Sequence, residues 1–230
     1  MMFALSLEIQ TRRLNWNPAK HCNPQLTVKR NKISSATEVG AIILAAGAST
    51  RMGVPKQLLQ FGGETMLRHA ARVAIEAGCC PVVIVTGADT ARSRKALRGL
   101  GVLEVENQRW KSGMGSSIRA GIEAVATANP QIAAVVIMVC DQPFVTRDII
   151  AGLLGAHQET NCSIVASRYG RSYGVPALFG RTHFAELMKL KGAGGAKQII
   201  QRHLGKVQLL PFPKGKIDID KPEDWARLQQ

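Results

Sequence analysis

Three stretches of this chain, "AIILA" at 41–45, "PVVIVTG" at 81–87 and "IAAVVIMV" at 132–139, are apolar runs with no charged side chain inside them. A strand of that kind is buried on both faces, and sheets built from such strands are mostly parallel and covered by helices on both sides. The sequence between them supplies the helices. Met66, Leu67, Ala70, Val73, Ala74 and Ala77 return at helical spacing, and Gly78 stops the pattern. Further helix patterns cover "ADTARSRKALRG" and "SSIRAGIEAVATA", the second opened by the glycine-serine loop "WKSGMGSS", while "VLEVEN" at 102–107 reads as an amphipathic strand. Thr146 can cap a helix, and "CSIVASR" at 162–168 reads as a strand. "GVPALFG" at 174–180 reads as a short strand whose proline suits an edge position or a strand entrance. Helices are expected around 181–190 and 195–204, strands at 206–210 and 216–220, and a last helix at "PEDWARL" with Pro222 in its first turn. The fold class that follows is α/β, a three-layer α/β/α arrangement around a mostly parallel, Rossmann-like sheet.

Such sheets bind ligands at the carboxyl ends of their strands, so the loops after 45, 107, 139 and 220 are the ones to read. The first is "LAAGASTRMGVPK", small side chains followed by two cations, Arg51 and Lys56. Small residues let backbone N–H groups approach a polyanion, and an arginine fork with a lysine point charge completes an anion site. A phosphate loop of the G-x-x-x-x-G-K-[ST] type fails here, because Val54 and Pro55 follow Gly53, and Gln57 follows Lys56. A G-x-G-x-x-G dinucleotide fingerprint fails too, since the loop's glycines are Gly47 and Gly53 and the second strand ends in Thr86-Gly87. The bland alternative is a tight turn carrying two surface cations.

Composition narrows the class further. The 230 residues are 46% hydrophobic, enough for one core, and no apolar run approaches the roughly 18 residues of a membrane-spanning helix. The net charge is +14, of which residues 1–39 carry +4 and the remainder +10. Residues 1–39 read as a basic tail outside the folded unit, disordered or a mis-assigned start, and "MMFALSLEI" lacks the basic region and cleavage site of a secretory signal. The basic balance suits phosphorylated partners, whereas an aromatic content of 5% without basic–aromatic interleaving argues against a nucleic-acid surface. The five cysteines, Cys22, Cys79, Cys80, Cys140 and Cys162, form no C-x-x-C pair and support neither a zinc ribbon nor a disulfide framework, so a reducing cytoplasm is expected. His69, His157, His183 and His203 fall on expected helices without ligand spacing and read as surface or capping residues.

"LAAGASTRMGVPKQLL" resembles the signature of the MobA-like nucleotidyltransferase superfamily. "WKSGMGSSIRAGI" (110–122), "VCDQP" (139–143), "YGVPALFGR" (173–181) and "DIDKPEDW" (218–225) resemble its molybdenum cofactor cytidylyltransferase branch, in the expected order. The resemblance implies a nucleotidyltransferase domain over 40–230 with a sheet of the nucleotide-diphospho-sugar transferase type. It also implies the reaction: a substrate phosphate attacks the α-phosphorus of a nucleoside triphosphate, and pyrophosphate leaves. The implied substrates are CTP and a molybdopterin-type phosphate, the implied cofactor is Mg2+, and a molybdenum hydroxylase or its chaperone is an implied downstream partner. No membrane partner is implied.

By the same resemblance, Leu44, Ala45, Ala46, Gly47, Gly53, Gly113 and Ser116 would contact the nucleotide together with Arg51 and Lys56. Arg51, Lys56 and Asp141 would be the catalytic residues. Asp141 would hold the metal with Asp220 or Asp218, which stand two apart on the expected last strand and so share one face. Gly174, Pro176, Gly194 and Gly195 would shape the acceptor pocket. Ala-Ala-Gly at 45–47 resembles the cytidylyl branch, where the guanylyl branch tends to carry Ala-Gly-Gly. Ala193 departs from a common Gly-Asp-x-Gly-Ala pattern, which puts the acceptor in question. Three alternatives stay open: the same chemistry with GTP, the same chemistry on another phosphorylated acceptor, and a non-catalytic basic nucleotide-binding protein.

Overall fold

The computed structural model describes residues 38–50, 52–219 and 221–228. Its strands are β1 Val39–Ala45, β2 Gln60–Phe61, β3 Glu64–Thr65, β4 Val82–Thr86, β5 Leu103–Glu106, β6 Ala134–Val139, β7 Ile164–Tyr169, β8 Ser172–Gly180 and β9 Gln208–Pro211. Its helices are α1 Met66–Glu76, α2 Thr90–Ala96, α3 Met114–Ala128, α4 Arg147–Thr160, α5 Phe184–Met188, α6 Ala196–Arg202 and α7 Pro222–Leu228. Seven strands form one sheet in the order β5-β4-β1-β6-β8-β7-β9, and β2 pairs with β3 in a small hairpin. Only β8 runs against its neighbours, so the sheet is mostly parallel.

The unbroken apolar strands do take the centre. β1 lies between β4 and β6 and is buried along its whole length. Alternate residues feed two cores. Ala41 and Ile43 pack with Leu67 and Val73 of α1 and Leu153 of α4, while Ile42 and Leu44 pack with Ile118 and Val125 of α3 and Leu187 of α5. That division makes the three layers. The termini follow local chemistry: Thr65 and Thr146 accept hydrogen bonds from Arg68 N–H and Ile149 N–H and so cap α1 and α4, and Gly78 leaves α1 at φ +90°.

Several expectations need correction. The proline strand is not at an edge: β8 is internal, flanked by β6 and β7. The sheet tolerates Pro176 because the β7–β8 register shifts between Ala166 and Ser167, and the Ser167 hydroxyl donates to the Pro176 carbonyl at 2.7 Å. Among the described residues of 216–220 no strand forms. Instead Pro213–Lys216 is a 3-10 turn, Gly215 sits where a Cβ would strike the rings of Phe212 and Tyr169, and the expected alternation fails. Ile217 is 41% exposed, whereas Ile219 is buried with Met52 and Met66, away from the sheet. Cys80 is disulfide-bonded, a bond the cysteine spacing did not suggest, while Cys79, Cys140 and Cys162 are free. The tail expectation for 1–39 lies outside the described residues except for Glu38 and for Val39, which opens β1. Among the described residues no helix is long and apolar enough to cross a membrane.

Gly121 lets α3 approach β1, since a Cβ there would lie 2.4 Å from Ile42 Cγ2. Alanine has the better helix propensity by about 1 kcal/mol, but overpacking of this kind costs about 1–3 kcal/mol. Gly121→Ala is therefore expected to lower the urea midpoint at unchanged slope, and a raised midpoint would show that α3 has room to move.

Candidate active site

The parallel register gathers three loops at one edge of the sheet. Leu44 pairs with Val85 on one side and Val139 on the other, so β1, β4 and β6 end together. With β5 paired beside β4, the loops after β1, β5 and β6 enclose a cavity of about 320 Å3, a size suited to a small ligand. It is lined by Leu44–Gly47 and by Ser49 and Thr50 after β1, by Trp110, Gly113, Met114 and Ser117 after β5, and by Cys140 and Asp141 after β6. Lys56 and Gln57 complete the wall.

The loop after β1 is held by one serine. Ser49 adopts φ +52°, accepts the Met52 N–H on its carbonyl at 2.9 Å and accepts the Lys56 N–H on its hydroxyl at 3.0 Å. Met52 is buried against Met66 and Ile219, which anchors the loop's far side. The turn points the Lys56 side chain back toward β6. There Lys56 Nζ donates to Asp141 Oδ2 at 3.0 Å, a contact between residues 85 apart in sequence. Both side chains keep partial access to the cavity, at 17% and 23% exposure. Gln57 is almost fully buried, and its Nε2 has no hydrogen-bond partner among the described residues. A buried donor left unmet costs about 1–3 kcal/mol, so this amide is ready to meet a ligand oxygen.

The loop after β5 is organised by Asn107. Its backbone N–H donates to the Thr86 carbonyl, its Nδ2 donates to Ser116 and Ser117 Oγ at 2.8 and 3.0 Å, and its Oδ1 accepts the Arg109 N–H. Trp110 is pressed onto the end of β4, where a Cβ on Gly87 would fall 2.9 Å from it. Gly113 then starts α3 at φ +101° with no side-chain cap. Only glycine fits, because a Cβ there would lie 2.2 Å from the Gly192 carbonyl, which also accepts the Gly115 N–H at 3.2 Å. The segment around Ala193 is thus packed against the start of a 15-residue helix whose positive end faces the cavity.

The expected nucleotide residues Leu44, Ala45, Ala46, Gly47, Lys56 and Gly113 line this cavity together with Asp141. Ser116 does not; its hydroxyl accepts from Asn107 and donates to the Gly113 carbonyl, and Ser117 lines the wall instead. Gly53 is exposed at φ +68° outside the lining. Arg51 and Asp220 lie outside the described residues. Asp218 lines a second cavity of about 530 Å3 with Tyr169, Gly170, Arg171, Ser172, Lys197 and Lys216. Gly174, Pro176, Gly194 and Gly195 line neither of these two cavities. Arg119 of α3 donates to the Leu190 carbonyl at 3.2 Å. Sequence reasoning missed Ser49, Gln57, Asn107 and Trp110.

The two cavities are joined through the backbone, as the Ile219 N–H donates to the Asp141 carbonyl at 3.2 Å. Asp141 fits the demand of a magnesium ion, which takes one or two carboxylates and keeps waters and phosphate oxygens for the rest. Burial and the neighbouring Asp141 charge push the Cys140 thiol well above the usual range, which disfavours the thiolate at neutral pH.

At 17% and 23% exposure the pair is largely shielded from water, so removing one partner strands the other at a cost of about 1–3 kcal/mol. Replacing Lys56 by Met is therefore expected to lower the urea midpoint by no more than that range while weakening tripolyphosphate binding tenfold or more, about 1.4 kcal/mol, by calorimetry. Retained binding with a large stability loss would make the pair structural.

Comparison with known proteins agrees with this geometry. The chain is 38% identical over 204 residues to nicotine blue oxidoreductase of Paenarthrobacter nicotinovorans, covering 83% of this chain and 96% of that one. It is 29% identical over 210 residues to a probable molybdenum cofactor guanylyltransferase of Mycolicibacterium paratuberculosis, covering 86% and 98%. The crystal structure of Rv0371c from Mycobacterium tuberculosis H37Rv superposes with a TM-score of 0.69 at 29% identity, covering 84% and 99%, and that protein has also been solved as a complex with manganese. Residues 41–207 match the MobA-like NTP transferase domain, and the chain belongs to that nucleotidyltransferase family.

Proposed function

We propose that the protein transfers CMP from CTP to the phosphate of a molybdopterin-type cofactor and releases pyrophosphate. The observation that carries this reading is the cavity itself: a loop of small residues, the Lys56–Asp141 pair and the N-terminus of α3 converge on one space. An oxygen of the acceptor phosphate forms a bond to the α-phosphorus. The bond from that phosphorus to the bridging oxygen breaks, and its electron pair leaves on pyrophosphate. Charge gathers on phosphoryl oxygens throughout, so positioning and electrostatic stabilisation are what this chain supplies.

Lys56 neutralises charge at the α-phosphate, the Gln57 amide donates to a phosphoryl oxygen, and the backbone of Gly47–Thr50 holds the β and γ groups. Arg51 is assigned to those same groups by resemblance. Asp141, with Asp220 as its companion, would hold Mg2+. When bound, the ion offsets charge on the triphosphate and fixes its conformation. The base rests near Ala45, Ala46 and Trp110. Choice of CTP over GTP is supported by Ala-Ala-Gly at 45–47.

The acceptor is assigned to the second cavity, in place of a pocket walled by Gly174, Pro176, Gly194 and Gly195. Arg171, Lys197 and Lys216 suit an anion, and Lys197 Nζ is steadied by the Ser172 hydroxyl at 3.1 Å and by the Tyr173 ring. Residues 40–230 form the transferase unit on this reading, and a molybdenum hydroxylase or its chaperone would receive the product. A second reading, oxidation–reduction chemistry in the same space, is favoured by the name of the 38% identical relative. The missing G-x-G-x-x-G spacing weighs against it.

With molybdopterin cofactor, magnesium and either nucleotide, a dinucleotide is expected from CTP alone. Asp141→Asn should lower the rate by about 100-fold or more, as loss of one electrostatic group does elsewhere. Lys197→Ala should raise the KM for the acceptor and leave kcat near its original value. No pyrophosphate release with any nucleotide would contradict the proposal and favour the oxidoreductase or binding-protein readings.

A further inference from the structure

A group of side chains unrelated to the nucleotide cavity converges at the other end of the sheet. His183 ends the 3-10 turn Arg181–His183, Glu186 lies in α5, and His203 follows the last residue of α6. His203 Nε2 is 2.8 Å from Glu186 Oε2, and His183 Nδ1 is 3.8 Å from the same oxygen. One ligand atom from each residue fits within a 4.8 Å span, and the two imidazole centroids are 4.9 Å apart. The Arg181 N–H donates to the Ala133 carbonyl, just ahead of β6, whereas Asp141 lies just past the other end of that strand. At about 3.3 Å per residue, the length of β6 puts about 20 Å between this cluster and the nucleotide cavity.

We propose that His183, Glu186 and His203 form a site for a divalent transition metal of the zinc, cobalt or nickel class. Two imidazoles and one carboxylate are a borderline ligand set that suits these ions better than magnesium or calcium, with water completing the shell. The spacing fits. Ligand atoms about 2.0–2.1 Å from a tetrahedral ion stand about 3.3 Å from one another, and the separations of 2.8 and 3.8 Å bracket that value. A plain hydrogen bond ties His203 to Glu186, whereas His183 Nδ1 at 3.8 Å is beyond hydrogen-bond reach of that carboxylate. An ion seated between them engages both rings.

The surrounding contacts orient these groups as ligands. The Ser163 hydroxyl lies 2.9 Å from His183 Nε2, which leaves Nδ1 to face the carboxylate. Arg202 donates to Glu186 Oε1 at 3.0 Å, which leaves Oε2 toward the two rings. Partners of this kind fix ring orientation and carboxylate direction in metal sites. The three side chains are 12%, 27% and 34% exposed, so an ion can reach them from solvent. Bound metal would tie α5 to the end of α6 and stabilise the folded state. This reading replaces the surface and capping roles that sequence assigned to His183 and His203.

Cobalt titration of the full chain, followed by visible absorption and by thermal denaturation, tests the proposal. One equivalent is expected to give the d–d band of a low-coordinate cobalt ion and a higher Tm. Glu186→Gln and His203→Ala should each weaken cobalt binding by about tenfold or more and remove the band. Asp141→Asn should leave both unchanged, since that carboxylate belongs to the other site. Absence of the band, its persistence in both cluster variants, or its loss in Asp141→Asn would each overturn the proposal.

Discussion

The register of β1 between β4 and β6 is the constraint on which the rest of the molecule depends. Parallel pairing on both sides brings Ala45, Thr86 and Val139 to one edge, so loops far apart in sequence meet without any long-range polar contact being required. A slip of one residue would turn Ile42 and Leu44 toward α1 and α4, and Ala41 and Ile43 toward α3. Both cores would then be mispacked, which is how apolar burial on two faces fixes the geometry of a polar site it never touches.

Given that frame, the loops need little chemistry of their own to be rigid. Ser49 closes the first loop on itself, and Asn107 closes the second with two serine hydroxyls on α3. The Gly113–Gly192 contact then docks the segment around Ala193 onto the start of α3. Positive groups reach the cavity from Lys56 and from the helix end, and among the described residues Asp141 is the carboxylate in its lining. That imbalance suits a ligand bearing several negative charges, and the excess of basic residues over the folded part extends it outward.

Much of the fold was legible because its signals are local and strong. Uninterrupted apolar runs gave the central strands, Thr146 and Gly78 marked helix ends, and the small-residue loop with Lys56 pointed to an anion site. What escaped depended on tertiary context. Pro176 reads as an edge proline until a register shift and the Ser167 hydroxyl make room for it inside the sheet. "KIDID" alternates like a strand, yet Ile219 is drawn under Met52 and Met66, and Asp218 is carried into the second cavity. Gln57 and Asn107 matter through burial, which a polar letter in a loop does not announce. His183 and His203 share no spacing along the chain and meet only because α5 and α6 fold against each other.

The central claim is that a metal-bound triphosphate occupies the cavity between the Gly47–Thr50 loop, the Lys56–Asp141 pair and the start of α3. Its most direct test is a crystal structure with a non-hydrolysable CTP analogue and manganese, the ion located by anomalous scattering. The account predicts an anomalous peak at Asp141 with the phosphates over the loop amides. An ion or nucleotide seated elsewhere would contradict it.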